Sequence, residues 1–550
     1  MADDFSERYG ALLAGSYDCV DRIVLNAYFS LGHHPGGFRV WWRRWHGDSD
    51  ADLDNAHLQR LAGRFARRVK AWGAAHGVPV IFCAAEERKH LIAEEYLGTH
   101  SVGPGVFLVL VARAPATVWN VQRSPAGVIR NLEKKSAFVN HYSFHIMDPV
   151  WGHLVIKMSG HPPFGAQVIL NGHEYVAVAA HAAGIGFRKE GNCFTQVSDP
   201  TRLAQIAVTL SQDAAVGRLR KACERWIYSA CLCFGLDTDE QQVSGFGYGF
   251  SVYQAEYSRN LLFRDGAQME KVFDAVVDRT RSRLDVPAVR TLFGAKARPH
   301  HDRVNNASEI GIVIERPRYG LTWFKVHFGL LQAKAYTKGE HVLRLEATVH
   351  NTRDLRTGRV LEKFPLITAA LHRIADQFAT TLDCVDTGFI PDQLLEDLPA
   401  STRLGATRVG GIDLNKPRTR TALAAALALA ATPAGFTVAD FAAKATRLGG
   451  TAYTTRQAAY DLRKLRGKQL VDKPGRTRRY RVPPRAARTI TGLLTLRDQV
   501  IAPILAGIHS PRPGRKPTTW TQIDRDYEKI RIDMQTLLRD LHLQTGPIAA

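Results

Sequence analysis

Residues 138–176 constrain the fold more than any other part of the chain. Their sequence is FVNHYSFHIMDPVWGHLVIKMSGHPPFGAQVILNGHEYV. Tyr142, Phe144 and Ile146 alternate with polar residues, which is the two-residue period of a half-buried strand. Clusters of Pro and Gly then mark two turns, and the stretch predicts an antiparallel meander followed by a helix. The predicted strands end at 148, 159 and 170.

Asp148 is the residue of chemical interest in this meander, because it ends the apolar row just before a Pro turn. A carboxylate in such a place is costly unless it is paired or holds a metal ion. The alternative is that Asp148 begins the turn and accepts a hydrogen bond from the backbone two residues later. Both interpretations stay open from the sequence.

The length of 550 residues predicts more than one domain. We expect an α+β or mixed α/β multidomain protein with a central mixed or antiparallel sheet, for which a ribonuclease-H-like arrangement is one alternative. A winged helix-turn-helix is expected after it. The predicted domains are an N-terminal α/β domain with a basic helix (1–135), a central α+β domain (136–400), the winged helix (411–485) and C-terminal helices (486–550).

Two N-terminal segments carry further predictions. Residues 17–30 are apolar-periodic and predict a helix. In residues 38–43, Phe38, Val40 and Trp42 alternate with Arg and Trp, which predicts a strand. Arg interleaved with Trp suits phosphate contact and base stacking, and the alternative is an amphipathic edge strand whose Trp side chains pack in a core.

The chain carries 73 Lys and Arg against 52 Asp and Glu, a net charge of +21. Such an excess predicts a polyanionic partner, and nucleic acid is the commonest one. A membrane surface is the rival explanation, but no apolar run is long enough to span a bilayer. The N-terminus is acidic and lacks an apolar signal region. We therefore expect no membrane partner and a cytoplasmic location.

Two glutamates accompany Asp148 as candidate catalytic and metal-binding residues. Glu256 lies among apolar and aromatic residues, and Glu346 lies on what the alternation of 342–349 predicts to be an outward polar face. If Asp148, Glu256 and Glu346 converge, they could hold Mg²⁺ for phosphodiester cleavage. Ordinary ion pairs to neighbouring Arg or Lys are the alternative for both glutamates.

The C-terminal region gives the most specific pattern. Three predicted helices are followed by two short strands, which is the order of a winged helix. Its third helix would present side chains suited to base edges and phosphates, and its wing would contact the backbone or the minor groove. Use of the module only for protein contact is the alternative. The predicted nucleic-acid-binding residues are Arg456, Gln457, Tyr460, Arg463, Lys464, Arg476, Arg478, Arg479 and Arg481.

The segments NHYSFHIMDPVWGH, PPFGAQVILNGHEYV and YQAEYSRNLLF resemble a widespread group of bacterial proteins that carry a C-terminal MarR-like winged helix and have no assigned activity. The pattern Y-x-K…LR-x-E, from Tyr336 to Glu346, is also similar to a motif of plasmid rolling-circle replication initiators. Those enzymes use a His-hydrophobe-His metal pair and a nucleophilic Tyr. The nearest counterpart here is His141 and His145, which are four residues apart.

Three functions follow as hypotheses. The first is a Mg²⁺-dependent DNA nuclease or strand-transfer enzyme of a mobile element, whose winged helix selects the target. The second is a non-enzymatic, sequence-specific DNA-binding regulator or a replication and maintenance protein. The third is a DNA-binding protein that also binds RNA through residues 38–45 and the basic helix 57–73. The sequence does not decide the oligomeric state.

Overall fold

The computed structural model describes residues 4–84, 87–284, 310–315, 323–328, 331–386, 388–391, 394–432, 435–475 and 477–501, together with single positions between 522 and 536. The chain divides into two compact units. The sheet unit comprises residues 9–270 and 316–375, and the C-terminal unit comprises residues 1–8, 271–315 and 376–550. Within the described residues, no helix combines the length and apolar character that a bilayer crossing requires.

Both α-helices and β-strands are abundant, so the mixed α/β class is confirmed. The strands are β1 Leu13–Phe29, β2 Val80–Phe82, β3 Gly105–Arg123, β4 Ile129–Asp148, β5 Gly152–Ser159, β6 Ala166–Asn171, β7 Phe187–Lys189, β8 Phe194–Val197, β9 Tyr248–Phe263, β10 Ile310–Glu315, β11 Trp323–Phe328, β12 Leu331–Lys338, β13 Val342–Val349, β14 Thr402–Leu404 and β15 Thr407–Val409.

The helices cover the sheet and build most of the C-terminal unit. They are α1 Asp4–Arg8, α2 Pro35–Trp45, α3 Asn55–His76, α4 Lys89–Thr99, α5 Gly172–Ala182, α6 Pro200–Val208, α7 Ala214–Trp226, α8 Thr238–Ser244, α9 Gly266–Leu284, α10 Phe364–Asp386, α11 Leu394–Asp397, α12 Pro417–Ala428, α13 Val438–Gly449, α14 Thr455–Gly467 and α15 Pro484–Thr495. Short 3₁₀ and π turns connect several of them.

One large mixed sheet dominates the sheet unit, in the order β11-β12-β13-β9-β1-β6-β5-β4-β3-β2. The β2–β3 pair is parallel, and the other neighbouring strands in this order run antiparallel. The predicted meander is confirmed as β4, β5 and β6, with Asp148 opposite Gly152 at the first turn. The expected boundary at 135/136 is corrected, because it falls inside β4 and β1 lies at the centre of the same sheet.

The helix predicted for residues 17–30 is wrong, because they belong to the central strand β1. This strand pairs with β6 on one side and β9 on the other. Its apolar residues, such as Val20, Ile23 and Leu25, are buried. A strand covered on both faces reads as a nearly continuous apolar run without alternation, which periodicity alone does not separate from a helix.

The strand predicted for residues 38–43 is also wrong, because they lie in helix α2. Pro35 occupies its first turn, where proline's missing N–H costs nothing. Phe38, Trp41 and Trp42 are fully buried and stand at helical spacing, with their rings in mutual contact. These tryptophans are core residues, so they are not free to stack on bases.

Helices α12, α13 and α14 form the core of residues 411–485 in the C-terminal unit. Capping boxes begin two of them: Thr437 with Asp440 begins α13, and Thr454 with Gln457 begins α14. One antiparallel backbone bridge joins Asp472 to Arg481 after α14, and a second joins Tyr480 to Phe436, which precedes α13; we call residues 472–481 the ribbon. The three predicted helices are present. Residues 502–521 and 537–550 lie outside the described residues.

Candidate functional site

Asp148 is a fully satisfied structural residue. Its Oδ1 accepts hydrogen bonds from the backbone N–H groups of Val150 and Trp151, each at 2.8 Å. Its Oδ2 accepts from Arg225 and from the indole of Trp226, each at 2.7 Å. The side chain is buried, and its two oxygens are engaged by four donors. The turn-forming role is therefore the one that the geometry supports.

The three candidate carboxylates do not form one site, so the expected Asp148–Glu256–Glu346 metal centre is corrected. Asp148 ends β4, whereas Glu256 lies on β9, four strands away in the sheet. At about 4.8 Å per strand that separation is roughly 19 Å. Glu256 and Glu346 are brought together, because Glu256 stands opposite Thr348 and Glu346 stands opposite Ser258 on the neighbouring strand.

Glu346 belongs to a buried ion-pair network, which corrects its expected place on an outward face. All eight residues of β13 are buried, so its alternation does not distinguish core from solvent. The Oε1 atom accepts hydrogen bonds from Lys334 at 2.8 Å and Thr348 at 2.9 Å, and Oε2 accepts from Tyr336 at 2.7 Å. Although burial opposes ionisation, Lys334 and Arg344 lower the pKa of Glu346 to about 2.

Arg344 is the centre of this network and is completely buried. Its guanidinium forms an ion pair with Asp21 of β1, donates at 2.6 Å to the backbone carbonyl of Asn192, and lies 3.7 Å from Glu346. The other Asp21 oxygen lies 2.5 Å from Nδ1 of His173 on α5. Burial lowers the pKa of His173 against the opposing effect of Asp21, which favours the neutral imidazole.

Glu256 behaves in the opposite way to Glu346. Burial, followed by the negative charge of Glu346, raises the pKa of Glu256 to about 7. Its Oε1 accepts a hydrogen bond from Gln254 at 2.9 Å. Two neighbouring carboxyl groups with separated pKa values can divide into a proton holder and a permanent anion. Glu256 is the proton holder of this pair.

The arrangement does not match the oxygen-rich site expected for Mg²⁺. Asp148 and Glu346 already have both oxygens occupied by protein donors. A different set, Cys19, Asp21 and His173, has its ligand atoms within 4.8 Å of one another and is fully buried. Thiol, carboxylate and imidazole suit zinc better than magnesium. The Arg344 guanidinium, however, already supplies a cation to Asp21.

Sequence reasoning missed Asp21 and His173, which tie β1 and α5 to the network. The available signal for Asp21 was a charged residue inside the apolar run CVDRIVL. Such a residue is buried only when a partner neutralises it. The partner, Arg344, is 323 residues away in the chain, and that pairing depends on strand order.

The two histidines of the rolling-circle resemblance do not act as a pair. His145 lies with Nδ1 at 3.0 Å from Nε2 of His153, and burial lowers the pKa of His145 to about 3. His141 instead lines a cavity on the sheet. The expected RNA contact through 38–45 and 57–73 has fewer available side chains, because Trp41 and Trp42 are buried and Arg64 forms an ion pair with Glu240 at 2.7 Å.

Helix α14 presents three of its predicted residues to solvent on one side. Arg456, Tyr460 and Arg463 are exposed and follow the i, i+4, i+7 spacing of one helix face. In the described part of the chain, the side chains of Arg456 and Arg463 make no hydrogen bond or ion pair. Gln457 and Lys464 are engaged: Gln457 completes the capping box, and Lys464 donates to the carbonyl of Gly411 at 3.0 Å.

The ribbon after α14 adds two more exposed cations, Arg478 and Arg481. Arg479 is half-buried and donates to the carbonyl of Gly435 at 2.8 Å, so it holds the ribbon to the segment before α13. Arg476 lies outside the described residues. The structure thus separates exposed arginines from those that support the ribbon.

Comparison with known protein families, with curated proteins and with solved structures finds no match for this chain. Its function is therefore argued from its own geometry.

Proposed function

We propose that the protein binds DNA through residues 411–485, which form a winged helix. The observation that carries this proposal is the exposed face of α14. Arg456, Tyr460 and Arg463 share it, and the two arginines have no partner among the described residues. Two exposed guanidinium groups on one helix face can receive a polyanion without first breaking an internal ion pair.

The way in which α14 packs on its neighbouring helices favours its insertion into a DNA groove. Its opposite side carries the buried residues Ala458, Leu462 and Leu465, which fix the helix on the three-helix core. Arg418 of α12 donates to Asp461 at 2.8 Å, and its guanidinium lies 5.6 Å from the ring centre of Tyr453. A helix held in this way presents its outer face rigidly, which is what base-edge recognition in a major groove requires.

The ribbon supplies the second contact of the proposal. The exposed Arg478 and Arg481 lie on the element that follows the reading helix. In a winged helix this element lies along the phosphate backbone or enters the minor groove. Contacts of this kind position the protein and carry little sequence information. Specificity is therefore assigned to α14, and both α14 and the ribbon contribute to general affinity.

The test is fluorescence anisotropy of the full chain with labelled duplex DNA of mixed sequence, at several salt concentrations. We expect the double variant Arg456→Gln/Arg463→Gln to bind at least tenfold more weakly, because it loses two phosphate or base contacts. The matched control is Arg202→Gln/Lys221→Gln, which removes two exposed charges from α6 and α7. Equal losses for the two double variants would contradict the proposal.

Selection of bound sequences from a random duplex pool tests whether α14 determines the sequence specificity. We expect the wild-type chain to enrich a short motif and the α14 variant to lose that enrichment. Enrichment that survives in the α14 variant would assign recognition to another surface. A parallel incubation of plasmid with Mg²⁺ tests the cleavage hypothesis, and here we expect intact DNA because Asp148 lies four strands away from Glu256.

A further inference from the structure

A cavity of about 830 Å³ opens on the sheet unit, which is within the range of small-molecule sites. It lies against the middle of the large sheet and is lined by residues of β1, β3, β4, β5, β6 and β9. We call it the basic pocket. Its basic lining residues are His33, His34, His141, Lys157, Arg353 and Arg359.

The ionisable residues that line the basic pocket are all basic. Six of its lining residues are His, Lys or Arg, and none is Asp or Glu. Elsewhere in the sheet unit, buried cations have carboxylate partners, as Arg344 has Asp21 and Arg259 has Asp18. No lining residue of the basic pocket supplies such a carboxylate to its cations.

Two donors in the pocket have no acceptor among the described residues. Lys157 is half-buried on β5 and makes no hydrogen bond or ion pair there. The Nε–H of Arg359 is buried and has no acceptor in the described chain, and the buried Nε2 atom of His141 has no hydrogen-bond partner there either. Buried donors without acceptors are rare in folded proteins, and they commonly mark a place for a ligand or water.

The pKa values of the basic groups in the pocket are also consistent with a place for an anion. Burial lowers the pKa of Lys157, and Lys89 lowers it further. Burial and the charge of Lys157 lower the pKa of His141 to about 4. An anion in the pocket would offset the mutual repulsion of these groups.

The floor of the pocket offers neutral hydrogen-bonding groups beside the cations. Asn26 pairs with Gln167 on one neighbouring strand and with Ser251 on the other, so the three side chains form a row across the sheet. The Nε2 of Gln167 donates to Oδ1 of Asn26 at 3.1 Å. Amides and hydroxyls in such a row suit the hydroxyl and base atoms of a nucleotide.

We propose that the basic pocket binds a phosphate ester of nucleotide size. Lys157 and the two arginines receive the phosphate, and the Asn26–Gln167–Ser251 row contacts the sugar or base. This proposal does not rest on the winged helix, because every residue that it uses belongs to the sheet unit. The phosphate can belong to a free nucleotide or to a nucleic-acid strand, and the experiment separates the two sources.

The experiment is isothermal titration of the full chain with four probes. They are deoxyadenosine 5′-monophosphate, deoxyadenosine, and a ten-nucleotide single strand with and without a 5′-phosphate. We expect the monophosphate to bind at least tenfold more tightly than the nucleoside. Tighter binding of the phosphorylated strand than of either smaller probe would assign the pocket to strand ends. Equal binding of monophosphate and nucleoside, or no binding of any probe, would overturn the proposal.

Variants then locate the binding. Lys157→Gln and Arg359→Gln should each weaken the phosphorylated probe about tenfold, whereas the exposed Lys221→Gln should leave its affinity unchanged. Thermal unfolding of each variant shows whether the fold is retained, and the wild-type preference for phosphate stands as a test without them. The α14 double variant should keep its affinity for the monophosphate. Loss of that affinity there would place the site outside the pocket.

Discussion

Arginine serves opposite purposes in the two units of this protein. In the sheet unit, Arg344 is completely buried and is enclosed by Asp21, Glu346 and a backbone carbonyl. In the C-terminal unit, Arg456 and Arg463 project from α14 and have no partner within the described residues. A buried guanidinium contributes to folding only through its partners, whereas an exposed one is available to another molecule.

The difference shows how the net charge of +21 should be interpreted. Many of the sheet unit's arginines are used internally, such as Arg64 with Glu240, Arg225 with Asp148 and Arg259 with Asp18. The net charge therefore overstates the number of cations that are available to a polyanion. Exposed cations lie on α14 and on the ribbon after it, and Arg60, Arg67 and Lys70 of α3 are exposed as well.

The largest expected effect comes from replacing the buried arginine. Arg344→Met should lower the free energy of unfolding by about 3–5 kcal/mol, because Asp21 and Glu346 are left without their cation. The exposed Arg456→Met should change it by less than about 0.5 kcal/mol. Urea unfolding followed by circular dichroism measures both. Similar losses for the two variants would mean that the contrast between the units is not real.

Asp148→Ala should have the next largest effect on stability. The replacement removes the acceptor of four hydrogen bonds and leaves the Trp226 indole and two backbone N–H groups unsatisfied. We expect a loss of about 2–4 kcal/mol, measured by the same urea unfolding. Asp148→Asn should lose less, because one amide oxygen can still accept from the turn. A stable Asp148→Ala protein with altered DNA chemistry would instead restore Asp148 as a functional residue.

The exposed arginines should change binding without changing stability. Arg456→Gln/Arg463→Gln should reduce the slope of log affinity against log salt by up to about 2, since each phosphate contact releases close to one counterion. Fluorescence anisotropy at several salt concentrations measures the slope, and the thermal midpoint should stay within about 1 °C. An unchanged slope with weaker binding would indicate base contacts without phosphate neutralisation.

The sequence predicted the local structure best where one physical signal dominated. The meander is an example, since Tyr142, Phe144 and Ile146 alternate and Pro149 closes the strand. The capped helices α13 and α14 are another, since Thr437 and Thr454 stand three residues before their acidic or amide partners. The type of two buried segments was predicted wrongly. The strand β1 lacks alternation of apolar and polar residues, whereas the helix α2 shows such alternation by coincidence.

The candidate site was predicted in part. Glu256 and Glu346 were singled out from the sequence, and they do lie on adjacent strands. Their burial, and the contacts of the network with Asp21 and His173, depend on the order of the strands in the sheet. Local sequence patterns do not predict that order. The basic pocket was not predicted for the same reason: its residues come from six strands and three connections.

The smallest expected effect distinguishes the two carboxylates within the network. The pKa of Glu256 is raised to about 7 in the folded chain, above the 4.5 of an ordinary glutamate. Between those values the folded state binds more protons than the unfolded state, so this group's contribution to stability decreases as pH rises. Glu256→Gln, which stays neutral, should match the wild type near pH 5 and exceed its unfolding free energy near pH 8, by on the order of 1 kcal/mol.

Glu346→Gln is the matched control, because its pKa is shifted the other way, to about 2. Its ionised form stabilises the fold above the ordinary pKa, and that contribution is lost only as pH falls toward 2. Because the charge of Glu346 also raises the pKa of Glu256, the stability loss of Glu346→Gln should shrink between pH 5 and 8, but by less than the gain of Glu256→Gln rises, since burial is the larger cause of that raised pKa. Thermal unfolding of both variants across this range measures the two trends. Changes of equal size would mean that the charge of Glu346, and not burial, sets the pKa of Glu256.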